Sequence, residues 1–129
     1  MKGVVVSSSD RVLLLKNERD EWELPGGRIE VGETPEECVA REIYEETQWK
    51  ATIGPILDTW MYYIGAAEKH VFIVTYGCYP KTDAEPVLSH EHKEIGLFAE
   101  SEIAGLNIPS GYRRSIAAWF SDTRRTARA

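Results

Sequence analysis

Three glutamates, Glu42, Glu45 and Glu46, lie within five residues of one another and could bind a cation together. If this stretch is helical, at about 100° per residue Glu42 and Glu46 border the apolar stripe that contains Val39 and Ile43. Carboxylates in that position are partly desolvated, and Glu42 and Glu46 repel each other as a like-charged i,i+4 pair. A hard divalent cation would reverse this penalty, because Mg²⁺ prefers carboxylate oxygens. The pattern therefore indicates a Mg²⁺ site, with Mn²⁺ as the alternative ion.

An ordinary glutamate-rich surface helix explains the residue types equally well, so the neighbouring positions have to decide between the two interpretations. Gly26 and Gly27 follow Pro25 shortly before the acidic stretch. Glycines permit a tight reversal, and they let an ion or a phosphate approach backbone carbonyls and amides. This turn, together with the placement of Glu42 and Glu46 beside the apolar stripe, favours the metal site.

The stretch from Gly27 to Trp49 resembles the signature of the Nudix hydrolase family, the Nudix box. That signature reads Gly, five residues, Glu, seven residues, Arg-Glu-apolar-any-Glu-Glu-any-Gly-apolar, and the sequence before it, WELPGG, is the family's usual lead-in. The matching positions are Gly27, Glu33, Arg41, Glu42, Ile43, Glu45 and Glu46. Gln48 replaces the Gly that ends the helix in the family, and Gln tolerates a left-handed conformation less well. We therefore expect the chain to leave this helix by a different path.

The resemblance implies a Mg²⁺-dependent pyrophosphohydrolase. Its substrate would be a nucleoside diphosphate linked to another group, such as a nucleoside triphosphate or an ADP-ribose-type compound. Bound Mg²⁺ suits this reaction because it polarises phosphoryl oxygens and lowers the pKa of a bound water. By this resemblance Arg41 orients a carboxylate, Gly27 shapes the loop and Glu33 braces the loop against the helix. The implied metal ligands are the Gly26 carbonyl, Glu42, Glu45 and Glu46.

The general base and the substrate contacts are less closely specified by the resemblance. Family members use either a glutamate of the box or one from a later loop, so the candidates are Glu45, Glu91 and Glu94. Arg28 lies beside the glycine turn, where it is placed to contact a phosphate, although a solvated surface arginine is an equal alternative. Trp22 belongs to a set of aromatic residues that could stack on a nucleobase or pack into the sheet. That set is Trp22, Trp60, Tyr62, Tyr63, Phe72, Tyr76 and Tyr79.

Two other functions compete with hydrolysis. A non-catalytic module that senses nucleotides could share the fold, but every acidic residue of the box is present, which favours the enzyme. An isoprenoid diphosphate isomerase also has a similar fold, but that family has a catalytic cysteine before the box, and the first cysteine here is Cys38. His70, His90 and His92 do not have the spacing of a zinc site, and no cysteine pair accompanies them.

Composition and charge limit the partners. The chain of 129 residues is one domain, residues 1–129, by its length, and it has 15 basic and 21 acidic residues for a formal net charge of −6. This charge argues against a nucleic acid polymer or an anionic membrane as a partner. No apolar stretch approaches the roughly 20 residues of a membrane span. Cys38 and Cys78 fit reduced thiols in a cytoplasmic protein, and the resemblance admits a homodimer.

The elements that must position these residues predict an α/β (α+β) fold in which a mixed sheet lies between helices. Thr34, Pro35 and Glu37 form a capping box and a favourable first turn, which predict a helix over 35–47. Apolar runs at 3–7 and 11–16 predict a pair of strands. The other predictions are an extended piece at 22–24, strands at 51–64, 70–79 and 95–99, a loop at 80–94, a helical turn at 101–106 and a C-terminal helix at 111–127 with a basic tail of Arg124, Arg125 and Arg128.

Overall fold

The computed structural model describes residues 1–127 and places its strands in two three-stranded sheets. The first sheet has the order β1-β5-β4, where β1 is Lys2–Val5, β4 is Ala51–Ile64 and β5 is Lys69–Pro80. The second has the order β3-β2-β6, where β2 is Arg11–Lys16, β3 is Trp22–Glu23 and β6 is Glu94–Ala99. The helices are α1 (Pro35–Thr47), α2 (Ser110–Ser121) and α3 (Thr123–Ala127), with 3₁₀ turns at Gly65–Ala67 and Glu100–Gly105.

The two sheets lie in one layer between α1 and α2. Successive side chains of a strand point to opposite faces, so adjacent residues of β1 and β2 pack against different helices. Val5 of β1 and Leu13 of β2 pack in one core with Ile43 of α1. Val4 and Leu14, the adjacent residues, pack in the other core with Ile116 and Trp119 of α2. The predicted class, a mixed sheet between helices, is confirmed.

The predicted pairing of the first two strands is wrong. β1 runs parallel to β5, with Lys2 opposite Thr75 and Val5 opposite Cys78. β2 instead pairs antiparallel with β3 and β6, and a single bridge between Val6 and Val12 is the contact that remains. The continuous valine run explains this arrangement, because a strand that is covered on both faces carries apolar residues at every position and suits a parallel neighbour.

The long hairpin of β4 and β5 extends well beyond the rest of its sheet. The two strands pair from Ala51 opposite Pro80 to Ile64 opposite Lys69. β1 covers only the stretch of β5 from Thr75 to Cys78. The far end of the hairpin is therefore a two-stranded ribbon, and its outer side chains, among them Met61, Tyr63 and Phe72, are exposed.

Helix α1 begins and ends where its local sequence dictates. Thr34 Oγ1 accepts a hydrogen bond from the Glu37 amide (3.1 Å), and Glu37 Oε1 accepts one from the Thr34 amide (2.8 Å). This reciprocal pair confirms the predicted capping box and fixes the first turn of the Nudix-like segment.

The predicted change at the end of α1 is wrong. Gln48 adopts the left-handed conformation (φ 61°, ψ 12°), and its amide donates to the Tyr44 carbonyl at 2.8 Å. Trp49 explains why, since its side chain is buried and its Nε1 donates to the Ala84 carbonyl at 2.9 Å. Packing of Trp49 thus holds Gln48 in a conformation that Gln itself disfavours.

The C-terminal segment is two helices rather than the predicted single one. Asp122 has an extended backbone between α2 and α3, and its Oδ1 accepts from the Arg124 amide at 2.9 Å. Arg124 and Arg125 form ion pairs with Asp122 and Asp10, while Arg128 lies outside the described residues. None of the helices within residues 1–127 is long and apolar enough to cross a membrane.

Candidate active site

The glycine turn lies directly over the acidic face of α1. The Gly26 amide donates to Glu46 Oε1 at 2.7 Å, and the Gly27 amide donates to the Met1 carbonyl at 3.0 Å. A Cβ atom at Gly27 would lie 2.5 Å from Glu42 Oε1, so no larger residue fits there without displacing the carboxylate. The turn therefore joins β1 to α1 and leaves backbone groups next to two of the three carboxylates.

Arg41 is the centre of an ionic network that joins the loop before α1 to the helix. Its Nε and Nη2 donate to the two oxygens of Glu33 at 2.8 and 2.9 Å, and its Nη1 donates to Glu42 Oε1 at 3.0 Å. Nη1 also reaches Glu45 Oε2 at 3.3 Å, and Nη2 donates to the Arg28 carbonyl at 3.1 Å. These hydrogen bonds from Arg41 lower the pKa of Glu33 to about 2. Arg41 thus ties the loop to the helix and holds two of the α1 carboxylates.

The three carboxylates of α1 differ in exposure. The side chains of Glu42 and Glu45 are 17% and 56% exposed, whereas that of Glu46 is 5% exposed. The inward lean predicted for Glu42 and Glu46 is confirmed. Burial raises the pKa of Glu46 to about 7, against the opposing effects of Lys2 and of the Gly26 amide. Glu46 is therefore a desolvated carboxylate held by a backbone amide.

His92 contacts Glu46 from the opposite side. Its Nδ1 lies 3.5 Å from Glu46 Oε2, and its Nε2 lies 3.0 Å from Glu23 Oε1 of β3. The hydrogen bond with Glu23 raises the pKa of His92 despite burial of the ring. Sequence reasoning missed both His92 and Glu23. The signal was present in alternation within β3, where Glu23 lies between Trp22 and Leu24, but the segment "SHEHKE" gave no indication of which side chain points inward.

The two loop glutamates proposed as bases have different surroundings. Glu91 is exposed and directly precedes His92, which contacts Glu46, so it stays a candidate base. Glu94 begins β6 and pairs with Lys16 at 3.2 Å, across the sheet from the box. The same loop presents His92 to the site, and Glu45 stays the candidate base on α1.

A cavity of about 490 Å³ opens beside the glycine turn. Its lining includes Gly27 and Arg28 of the turn and cationic side chains of Lys2 and Arg19. The far wall is apolar and aromatic, formed by Ile64, Val71, Phe72, Ile73, Tyr62 and Tyr112. Arg28 lines this cavity, and its contact with substrate stays a prediction.

Trp22 is placed elsewhere. It does not line this cavity but packs edge-on against Phe98 with ring centroids 4.9 Å apart, and Lys16 Nζ lies 5.5 Å from its ring centre. Of the aromatic residues considered for stacking, Tyr62 and Phe72 line the cavity. Tyr62 also donates to Glu21 Oε1 at 2.7 Å, which fixes its ring in the wall.

The donor set suits a hard divalent cation in chemistry but is not gathered around one point. Within residues 1–127 no group of three or more His, Cys, Asp or Glu side chains has the arrangement of a metal cluster. Glu42 and Glu45 contact Arg41 instead, and Glu46 contacts the Gly26 amide. Oxygen donors next to a turn that excludes a Cβ atom nonetheless fit Mg²⁺ or Mn²⁺, which take carboxylate and carbonyl oxygens.

Comparison with known proteins identifies the family of the chain. A family model described as NUDIX domain matches residues 2–120. A MutT-like protein from Streptomyces ambofaciens is 52% identical over 103 residues, which are 79% of this chain and 64% of that protein. An 8-oxo-(d)GTP phosphatase from Mycolicibacterium smegmatis is 42% identical over 53 residues, which are 41% of this chain and 16% of that protein. The chain thus spans less than two thirds of the length of these curated relatives.

The fold is also found among solved structures. The crystal structure of a MutT protein from Methanosarcina mazei Go1 superimposes with a TM-score of 0.78 and 26% identity, covering 92% of this chain and 89% of that one. The family model extends over most of the chain and includes the segment that builds the site around Arg41. The chain therefore belongs to the Nudix hydrolase family.

Proposed function

We propose that this protein hydrolyses a diphosphate bond in a nucleotide, with a divalent cation held on α1. One observation carries the proposal: Gly27 lies in the cavity wall and, at the same time, against the carboxylate of Glu42. A phosphate chain that enters the cavity past Arg28 would therefore arrive beside the acidic face of the helix.

The cation would be held by Glu42, Glu45, Glu46 and the Gly26 carbonyl, and Mg²⁺ is the proposed ion. When bound, such an ion polarises phosphoryl oxygens and lowers the pKa of a coordinated water. Arg41 orients the carboxylates of Glu42 and Glu45, while Glu33 holds Arg41 in place. Glu45, the most exposed of the three carboxylates, is the proposed general base.

The cavity favours a nucleoside as the group bound next to the phosphates. Its aromatic residues Tyr62, Phe72 and Tyr112 offer faces against which a flat base can pack. Lys2, Arg19 and Arg28 provide positive charge for phosphates, but the far wall is too apolar for a ligand that carries phosphate on every side. We propose a nucleoside triphosphate as the preferred substrate and an ADP-ribose-type compound as the second choice.

The proposal is tested with a panel of nucleoside triphosphates, including 8-oxo-dGTP, together with ADP-ribose and dinucleotides. Turnover is followed directly by chromatographic separation of the nucleotide products, with Mg²⁺ and with EDTA. We expect Mg²⁺-dependent turnover, and Glu46→Gln should lower kcat/KM by at least about a hundredfold because it removes a proposed ligand. Glu36→Gln is the matched control, since Glu36 is exposed on the same helix outside the cluster.

Two results would contradict the proposal. Turnover that is unchanged by EDTA or by Glu46→Gln would show that the acidic face of α1 is not the metal site. Saturable nucleotide binding without turnover anywhere in the panel would favour the nucleotide-sensing alternative over the enzyme.

A further inference from the structure

We propose that His92, from the loop between β5 and β6, is a positioning residue that fixes the orientation of the Glu46 carboxylate for cation binding. This inference rests on the proposed function, because it assigns Glu46 to the cation site. It goes beyond that function by giving a task to a residue outside the Nudix box and outside the cavity wall.

The side chain of His92 is wedged between two carboxylates from different elements. It is 9% exposed, and its two ring nitrogens face Glu23 of β3 at 3.0 Å and Glu46 of α1 at 3.5 Å. Both carboxylate side chains are themselves largely buried, at 13% and 5% exposed. A planar ring held at both edges in this way sets the separation between β3 and the acidic face of α1.

Lys93, the residue after His92, is anchored both to β2 and to the loop between β2 and β3. The Lys93 amide donates to the Lys16 carbonyl at 3.0 Å, and Lys93 Nζ pairs with Asp20 Oδ1 at 2.9 Å. The next residue, Glu94, begins β6 and lies opposite Lys16. The backbone of His92 is thereby held in place, and its ring lies in a fixed position between Glu23 and Glu46.

The two oxygens of the Glu46 carboxylate have different neighbours. The contact with His92 therefore helps to set the orientation of the carboxylate group. Oε1 accepts from the Gly26 amide at 2.7 Å, whereas Oε2 faces His92 Nδ1. That nitrogen is buried and has no hydrogen-bond partner within the described residues. A buried polar atom without a partner calls for an explanation. We explain the unpartnered Nδ1 by a hydrogen bond to Glu46 Oε2 that shortens when Glu46 binds a cation.

Two conservative substitutions separate this role from simple bracing of Glu23. The amide of Gln extends to the position of Nε2, so His92→Gln retains a donor for Glu23. The amide of Asn reaches the position of Nδ1, so His92→Asn retains a polar contact for Glu46. His92→Leu removes both contacts, and His90→Leu is the matched control at an exposed histidine of the same loop.

The first measurement is Mn²⁺ binding by isothermal titration calorimetry in the absence of nucleotide. We expect His92→Leu to weaken Mn²⁺ binding roughly 10- to 100-fold, as loss of a residue that orients a metal ligand does. His92→Asn should recover most of that affinity and His92→Gln little of it. In assays at a fixed, subsaturating Mg²⁺ concentration, kcat should follow the same order and should approach the wild-type value as Mg²⁺ is raised. KM for the nucleotide reports separately on Glu23, which contacts His92 and lines the cavity.

The outcomes are distinct for the inference and for the proposed function. Wild-type Mn²⁺ affinity in His92→Leu, or recovery by Gln rather than Asn, would overturn the inference and leave His92 as a brace for Glu23. If the wild-type protein binds Mn²⁺ but hydrolyses nothing, the proposed function fails while the binding series still decides the role of His92. If the wild-type protein binds no Mn²⁺, both fail. Should His92→Leu not fold, as judged by circular dichroism, the Asn and Gln variants give the same decision.

Discussion

At the scale of single residues, Gln48 shows how packing overrides a local preference. A side chain in the left-handed region costs about 1–2 kcal/mol relative to the right-handed one. The sequence therefore favours another exit from α1, yet the buried ring of Trp49 and its hydrogen bond to Ala84 keep φ at 61°. The folded protein therefore keeps the free-energy cost of a left-handed backbone at Gln48, which a suitable substitution would remove.

Gln48→Gly should raise the free energy of unfolding by about 0.5–1 kcal/mol. Glycine removes the cost of the left-handed conformation. It also increases the conformational entropy of the unfolded chain, which lowers the stability by about 0.4–1 kcal/mol. Urea unfolding of the variant beside wild type measures the difference. Gln48→Ala, which keeps Cβ, should show no gain, and an equal gain from both variants would place the effect elsewhere.

At the scale of elements, the pair of Glu33 and Arg41 joins the loop before α1 to the helix. The pKa of Glu33 is lowered from 4.5 to about 2 by hydrogen bonds from Arg41. A carboxyl group whose pKa is lowered on folding stabilises the protein above its unfolded pKa. That contribution is present above pH 4.5 and is lost as the pH falls towards 2.

Glu33→Gln should therefore make the free energy of unfolding depend less on pH in the acidic range. We expect the variant to be less stable than wild type at neutral pH and to approach it as the pH falls through that window. Urea unfolding at a series of pH values provides the comparison, with Glu36→Gln as the control. A constant difference between wild type and Glu33→Gln across the series would show that the ion pair does not act through the ionised carboxylate.

The same scale explains what sequence reasoning could and could not predict. The bounds of α1 and its capping follow from Thr34, Pro35 and Glu37, whose interactions are all local. The strand that pairs with β1 cannot be predicted in this way. The valine run of β1 shows that both of its faces are covered, but it does not show which strand lies beside it. The loop before β6 is similar: the sequence predicts an acidic and histidine-rich segment, while anchoring of Lys93 on β2 decides that His92 faces inward.

At the scale of the whole molecule, packing leaves both thiols inaccessible, since Cys78 lies in the core below α1 and Cys38 Sγ lies 3.7 Å from the Gly27 carbonyl. Cys38 and Cys78 are 0% and 1% exposed, and both are free. Burial raises the pKa of each thiol above its ordinary value. Thiolate formation and reagent access are therefore both opposed by the folded state.

The folded protein should accordingly resist the thiol reagent DTNB at about pH 8, near the ordinary thiol pKa. We expect both cysteines to react promptly in denaturant and at least about a hundredfold more slowly in buffer, at a rate set by opening of the cores. A cysteine introduced at the exposed Ser101 serves as the control for reagent activity. Rapid reaction of Cys38 alone would show that the start of α1 opens independently of the core that contains Cys78.

The ribbon at the end of the β4–β5 hairpin has a consequence for how the protein meets its ligand. β1 supports β5 only between Thr75 and Cys78, whereas Ile64, Val71 and Phe72 in the cavity wall belong to the stretch beyond. A two-stranded ribbon is marginally stable alone, so its amide hydrogens should exchange with deuterium well before those at Thr75–Cys78 and those of α1. β5 thus connects a stretch that β1 anchors to a less supported stretch that forms one side of the cavity.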